Sequence, residues 1–64
     1  DAIRAIIGIA PERLAPGGWL ALEHGHDQGA AVRALMEQAG LTDIATRRDL
    51  AGQERVTHGR NRFQ

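Results

Sequence analysis

Apolar residues at three- and four-residue intervals open the chain and predict a helix over residues 2–14. Pro11 lies inside this pattern and is expected to kink or end the helix, because proline has no amide hydrogen to donate. The glycine- and proline-rich residues 15–18 then predict a turn. The residues that share the apolar face of this helix are Ile3, Ile6, Ile7, Ala10 and Leu14.

A short, mostly apolar run follows over residues 19–24 and predicts a strand. Its length and its flanking glycines favour a strand that is buried on both faces, as in a parallel sheet. Trp19, at the start of this strand, is expected in the core rather than at an exposed interface. Asp27 is expected to cap the next helix, because its carboxylate can accept hydrogen bonds from the free amides of the first turn.

The second helix is predicted over residues 28–39, with an apolar face that contains Val32 and Met36. Gly40 is placed as the left-handed residue that ends the helix, and Leu41 as an apolar contact just beyond it. Two further strands are predicted at residues 44–49 and 55–60. Helix, strand, helix, strand and strand therefore follow in that order, which indicates an α/β fold.

The link between the last two strands is short and contains Gly52. Parallel pairing needs a crossover of about a dozen residues, so these two strands must form an antiparallel hairpin. We expect the last strand to lie between the other two, which then run parallel to each other. We also expect the helical crossover between the first two strands to be right-handed.

Composition limits what a chain of 64 residues can be. It forms at most one small domain with a thin stability margin. Cysteine is absent, which excludes disulfides and thiolate metal sites. No apolar run reaches the roughly 18 residues of a membrane span. The sequence begins within a helical pattern and without an initiator Met, so we expect a fragment of a longer protein.

Positive charge is concentrated near the end of the chain, although the formal net charge is zero. All eight basic residues are arginines. This distribution indicates a solvated strand edge, since charged edges discourage sheet aggregation. The alternative function is a small non-enzymatic module that contacts nucleic acid or an acidic partner through this hairpin. The arginines of residues 47–64 are Arg47, Arg48, Arg55, Arg60 and Arg62, set against Asp49 and Glu54.

Three stretches together resemble one enzyme family. Residues 14–25 read LAPGGWLALEHG, Gln28 and Gly29 follow, and residues 47–60 read RRDLAGQERVTHGR. These segments are similar to the helix-to-strand segment and the terminal hairpin of the release factor glutamine methyltransferases. The resemblance covers nearly the whole chain and implies the C-terminal segment of a Rossmann-like methyltransferase fold, whose last strand is antiparallel.

The resemblance implies a cytoplasmic enzyme that uses S-adenosylmethionine as its methyl donor. Its partner would be a peptide chain release factor, methylated at the glutamine side-chain nitrogen of a Gly-Gly-Gln loop. In the family, the glycine-rich cofactor loop and the Asn-Pro-Pro-Tyr segment lie upstream of this region, and neither pattern occurs in these 64 residues. We therefore assign no catalytic or cofactor-binding residue and expect the fragment to be inactive and to bind no S-adenosylmethionine. A methyltransferase with another methyl acceptor stays open.

A fragment of a sheet is expected to leave one edge or face uncovered. The apolar residues 19–22 need neighbouring strands on both edges and other layers on both faces. The chain supplies only two helices and two other strands, while the rest of the methyltransferase domain would supply the remainder. We therefore expect self-association of the isolated chain or an exposed apolar patch.

One cluster of polar side chains could form a binding or catalytic site. It contains Glu23, His24, His26 and Asp27. A metal site is disfavoured, because neighbouring residues of a strand point to opposite faces. Glu23 and His24 instead close a strand at the edge where open α/β folds bind ligands, so both are candidates for the wall of a substrate pocket. In the competing interpretation, Glu23 caps loop amides and His24 is a hydrogen-bonded structural residue. His58 is expected to pack against neighbours or face solvent.

Overall fold

The computed structural model describes residues 2–62, and its elements follow the predicted order. Two helices alternate with the first two strands, and the third strand completes a hairpin. The predicted order of helix, strand, helix, strand and strand is therefore confirmed. The elements are α1 (Ala2–Arg13), β1 (Trp19–Glu23), α2 (Gly29–Gln38), β2 (Thr42–Arg48) and β3 (Glu54–Arg60).

The three strands form one sheet with β3 in the middle. Both β1 and β2 pair with β3 in antiparallel register, so β1 and β2 run parallel to each other. This arrangement confirms the predicted hairpin and the predicted position of the last strand. The right-handed crossover through α2 stays a prediction. The result is a small α/β unit with a three-stranded sheet and two helices.

The core lies between the two helices and one face of the sheet. α2 packs against β2 and β3, and α1 packs against α2. The side chains of Met36, Ile7 and Val32 are almost fully buried at the centre of this layer. Leu20, Leu22 and Ile44 reach the same core from the sheet. No helix within residues 2–62 is both long enough and apolar enough to cross a bilayer.

The prediction that β1 is buried on both faces is wrong. Leu20 and Leu22 pack against the core, whereas Trp19, Ala21 and Glu23 are exposed. Half of the surface of Trp19 is accessible, so the expectation that it lies in the core is also wrong. Side chains alternate along a strand, and both described helices cover the same side of this one. An apolar sequence shows that a face can be buried but not that the chain itself supplies the covering layer.

Of the two outcomes predicted for Pro11, an end of the helix is wrong and a kink stays a prediction, whereas the predicted cap at Asp27 is wrong. α1 continues past Pro11 to Arg13, and the amide of Leu14 still donates to the carbonyl oxygen of Ala10. Asp27 does not cap α2. Gln28 occupies the capping position without a side-chain bond to the helix, and its Oε1 instead accepts from the amide of Gly25 at 2.7 Å. The loop thus closes on itself ahead of the helix.

The C-terminus of α2 follows the prediction. Gly40 has a φ of 87°, in the left-handed region where glycine has no Cβ penalty. The Gly40 amide donates to the carbonyl of Glu37, and the Leu41 amide donates to that of Met36. These are the two bonds of a Schellman motif. Leu41 is buried beyond the cap, as expected, and this turn directs the chain into β2.

Asp49 organises the turn between β2 and β3. Its Oδ1 accepts hydrogen bonds from the amides of Ala51 at 2.9 Å and Gln53 at 3.0 Å, and its Oδ2 accepts from Nε of Arg55 at 3.2 Å. The backbone hydrogen bond from Gln53 lowers the pKa of Asp49 most. Desolvation opposes this effect, and the Arg55 guanidinium and the Ala51 amide lower that pKa further. The ionised carboxylate is therefore part of the folded turn.

Acidification is expected to loosen this turn. Because the pKa of Asp49 is lower in the fold than in the unfolded chain, the carboxylate stabilises the fold above its unfolded pKa. That contribution is lost as pH falls through the folded value. The amide NMR signals of Ala51 and Gln53 should follow this titration in the wild type and lose it in Asp49→Asn. Asp43→Asn is the control, and equal titration curves in Asp49→Asn and wild type would contradict the prediction.

Candidate functional site

Glu23 and His24 diverge where β1 ends, as strand alternation predicts. Glu23 is exposed on the side of the sheet away from the helices, and it makes no hydrogen bond or ion pair within residues 2–62. His24 is buried, and its amide donates to the carbonyl of Arg55, which continues the pairing with β3. Among the described residues, no three His, Asp or Glu side chains are grouped so as to hold a metal.

A chain of hydrogen bonds runs beneath α2 from Arg33 to the end of β1. Nη1 of Arg33 donates to Oγ1 of Thr46 at 2.7 Å, and the hydroxyls of Thr46 and Thr57 are 2.8 Å apart. Oγ1 of Thr57 lies 2.8 Å from Nε2 of His24. Nδ1 of His24 lies 2.8 Å from the carbonyl oxygen of Gly25. Both imidazole nitrogens are therefore bonded.

The two ends of this chain fix the direction of every bond when the imidazole of His24 is neutral. A guanidinium can only donate, and a carbonyl oxygen can only accept. The proton of the neutral ring is then on Nδ1, which donates to the carbonyl of Gly25. Nε2 accepts from Thr57, Thr57 accepts from Thr46, and Thr46 accepts from Arg33. The network therefore selects one tautomer of the neutral ring.

Arg33 also ties α2 to the hairpin. Its Nη1 lies 3.2 Å from Oε2 of Glu54, and the same oxygen lies 4.0 Å from Nη2 of Arg48. This network is not evident from the sequence, because its members are distant along the chain. The signal that could have found it is the pair Thr46 and Thr57, which face each other once the hairpin register is set.

The other side of the sheet carries an aromatic and cationic group. The rings of Trp19 and His58 pack edge to face with centroids 5.4 Å apart. The guanidinium of Arg60 lies 5.3 Å from the centre of the Trp19 ring, and its Nε donates to the carbonyl of Gly17. Trp19, Arg47 and His58 line a depression of about 310 Å³. His58 thus packs against a neighbour, one of the two predicted outcomes.

Several arginines of the hairpin are engaged within it. Arg55 pairs with Asp49 at 3.2 Å, and Nη1 of Arg48 donates to the carbonyl of Gly52 at 3.0 Å. Arg47 differs, because it is exposed and makes no hydrogen bond or ion pair with residues 2–62. The positive charge is therefore partly neutralised at the turn, and one open guanidinium lies beside the depression.

The chain is similar to release factor glutamine methyltransferases of several organisms. It is 58% identical over 60 residues to that of Xylella fastidiosa, which covers 94% of this chain and 22% of the relative. With that of Pseudomonas aeruginosa it shares 54% over 59 residues, or 92% of this chain and 21% of the relative. With that of Bordetella pertussis it shares 55% over 58 residues, or 91% and 22%.

These matches confirm the resemblance that the motifs at residues 14–25 and 47–60 indicate. The chain spans about a fifth of the length of the curated relatives it matches. No family model matches it. The similarity therefore covers nearly all of this chain and a limited part of each relative.

Proposed function

We propose that this chain is the C-terminal segment of an S-adenosylmethionine-dependent methyltransferase that methylates peptide chain release factors. The methyl group is transferred to the glutamine side-chain nitrogen of their Gly-Gly-Gln loop. The observation that carries this proposal is 58% identity over 60 residues to a protein named release factor glutamine methyltransferase. A Rossmann-like parent fold is part of the proposal, and the central antiparallel position of β3 supports it.

The contribution of this segment is structural. The loop after β1 does not suit the carboxylate of the cofactor, because the Gly25 amide already donates to Oε1 of Gln28. The depression beside Trp19 contains the cationic Arg47, which would repel the sulfonium of S-adenosylmethionine. These features support our proposal that the isolated segment neither binds the cofactor nor is active. Titration calorimetry with S-adenosylmethionine should detect binding to the full-length parent and none to the 64-residue chain.

Glu23 is the better of the two candidates for the substrate-pocket wall. Its carboxylate is exposed at the carboxyl end of β1 and has no partner within residues 2–62. A carboxylate can accept hydrogen bonds from the NH₂ group of a substrate glutamine. Both nitrogens of His24 are already engaged with Gly25 and Thr57. We propose that His24 fixes the end of β1 and that Glu23 contacts the substrate amide.

Glu23→Gln is expected to lower kcat/KM for release factor methylation about tenfold in the full-length parent. The reason is the loss of one charged hydrogen-bond acceptor while side-chain size is kept. Glu37→Gln is the matched control, because Glu37 is exposed on α2 and away from the end of β1. Transfer of a labelled methyl group to the release factor measures both. Equal activity in both variants would remove Glu23 from the pocket.

The alternative of a small nucleic-acid or acidic-partner module has less support. Arg48 and Arg55 already bond within the hairpin turn, which leaves fewer guanidiniums for phosphates. Binding to phosphates would also fall steeply with salt. Salt-sensitive retention of the chain on DNA or RNA would favour this alternative over the methyltransferase segment.

A further inference from the structure

The turn between β2 and β3 projects from the edge of the sheet where the parallel strands β1 and β2 end. β1 ends at Glu23 and β2 at Arg48, and residues 49–53 follow directly. We call residues 49–53 the hairpin tip. Glu23 pairs with Val56, and Gln53 is three residues from Val56, which corresponds to about 10 Å in an extended chain. Open α/β sheets bind ligands at this edge, so the hairpin tip lies beside the candidate pocket wall.

The hairpin tip is held by hydrogen bonds among its own polar groups. The Asp49 amide donates to the carbonyl of Gln53 at 2.9 Å, and the Gly52 amide donates to the carbonyl of Asp49 at 3.0 Å. Nη1 of Arg48 donates to the Gly52 carbonyl, and Nη2 of Arg55 donates to Oε1 of Gln53 at 3.0 Å. Together with the bonds of the Asp49 carboxylate, these contacts order the turn before any partner binds. Docking onto an ordered turn loses less conformational entropy.

Leu50 is the large apolar side chain of this ordered turn. Its relative accessibility is 110%, so no residue within 2–62 covers it. The other exposed large apolar residues, Ile6, Ile9 and Trp19, keep about half of their surface accessible. The polar groups beside Leu50 are bonded within the turn and need no further partner. An apolar centre inside a polar rim is the composition of a protein–protein contact, and burial of such a leucine stabilises a complex.

We infer that the hairpin tip docks the protein substrate, with Leu50 inserted into an apolar depression on the release factor outside its Gly-Gly-Gln loop. The inference rests on the proposed function and adds a contact that holds the substrate besides its glutamine. The ordered turn and its place at the edge that carries Glu23 favour this occupant. A second copy of the chain is a poorer one, because two hairpin tips bury far less than the about 1,200 Å² of a stable interface.

Leu50→Asn tests this contact in the full-length parent. Asparagine keeps the branched shape of the leucine side chain and removes its apolar character. We expect KM for the intact release factor to rise about tenfold, which corresponds to about 1.4 kcal/mol. We expect kcat to stay unchanged, because a docking contact binds the ground state and the transition state equally. Transfer of a labelled methyl group at a series of release factor concentrations measures both constants.

Leu50→Met is the matched control. Methionine keeps an apolar side chain of nearly the same volume, so this variant should keep the KM of the wild type. A short synthetic peptide that contains Gly-Gly-Gln lacks the surface that Leu50 contacts, so Leu50→Asn and wild type should methylate it equally. An unchanged KM for the release factor in Leu50→Asn would overturn the inference. An equal rise of KM in Leu50→Met would overturn it as well.

Direct binding separates docking from methyl transfer. A release factor whose Gly-Gly-Gln glutamine is replaced by alanine accepts no methyl group but keeps the rest of its surface. In titration calorimetry it should bind the Leu50→Asn parent about tenfold more weakly than the wild-type parent. Equal affinities, with a lower melting temperature of Leu50→Asn, would assign Leu50 to packing within the parent and overturn the inference.

The same measurements distinguish the two proposals. If the wild-type parent methylates no release factor, the proposed function fails and the docking contact fails with it. If the wild-type parent methylates the release factor and Leu50→Asn has the same KM and the same affinity, only the docking contact fails.

Discussion

Gly59→Ala is expected to destabilise the fold by about 2 kcal/mol, as overpacking of a filled core does. Gly59 is buried in the central strand, and an added Cβ would lie 3.0 Å from Sδ of Met36. It would also lie 3.3 Å from two carbon atoms of Leu41. Because Met36 is fully buried, its side chain has little room to retreat. Urea denaturation followed by circular dichroism measures the loss.

Gly8→Ala provides a control with the opposite sign. Gly8 lies within α1, and a Cβ there would meet no atom within 4 Å. Alanine in a helix interior is favoured over glycine by about 0.5–1 kcal/mol, so this variant should gain stability. The same Gly→Ala substitution at these two positions thus separates the effect of backbone conformational freedom from the effect of core packing. Equal effects of both substitutions would contradict the packing argument.

A double-mutant cycle locates the clash at Met36. Met36→Ala alone should cost about 2–5 kcal/mol, because it leaves a cavity in the core. In the double variant with Gly59→Ala, the new methyl group enters that cavity, so the combined cost should be smaller than the sum by at least about 0.5 kcal/mol. Strictly additive costs would mean that the two residues do not press against each other.

Gly59 also shows which parts of the fold are readable from sequence. The turn after α2 and the turn between β2 and β3 were predictable, because each contains a local signal. The signals are Gly40 and Gly52, which both have positive φ. The antiparallel pairing of β2 with β3 followed from the short hairpin link, whereas the position of β3 between the other two strands followed from the family resemblance. Gly59 carried no such local signal, because its role comes from the close approach of α2 over the sheet. That approach exists only after the layers have packed.

The site was predictable to the same limited extent. Alternation along a strand correctly separated Glu23 from His24, and it argued against a shared metal. The partners of His24 were not predictable, because Thr57 is 33 residues away and reaches it only through the register of β1 with β3. The prediction that Trp19 lies in the core was wrong for a related reason. Its apolar character predicts that it can be covered, but not which part of a protein covers it.

Thr57→Val is expected to cost about 2–3 kcal/mol, because it leaves buried polar groups without partners. Thr57 is fully buried, and valine keeps its size and branching but removes the hydroxyl. Nε2 of His24 then loses its donor, and the hydroxyl of Thr46 loses its acceptor. Thr42→Val is the control, since the Thr42 hydroxyl makes only an exposed bond to the carbonyl of Arg60 at 3.3 Å. That variant should change stability by less than about 0.5 kcal/mol.

The imidazole of His24 reports whether the hydroxyl network causes this loss. In the wild type at a pH where imidazole is neutral, its ¹⁵N NMR signals should show the proton on Nδ1, because the Gly25 carbonyl accepts it and Thr57 donates to Nε2. Removing the Thr57 hydroxyl removes the donor that selects this tautomer. In Thr57→Val, the ¹⁵N signal of Nε2 of His24 should then shift towards that of an unbonded nitrogen. In Thr42→Val, the wild-type spectrum should be kept. A stability loss without this change would assign the effect of Thr57 to packing instead of hydrogen bonding.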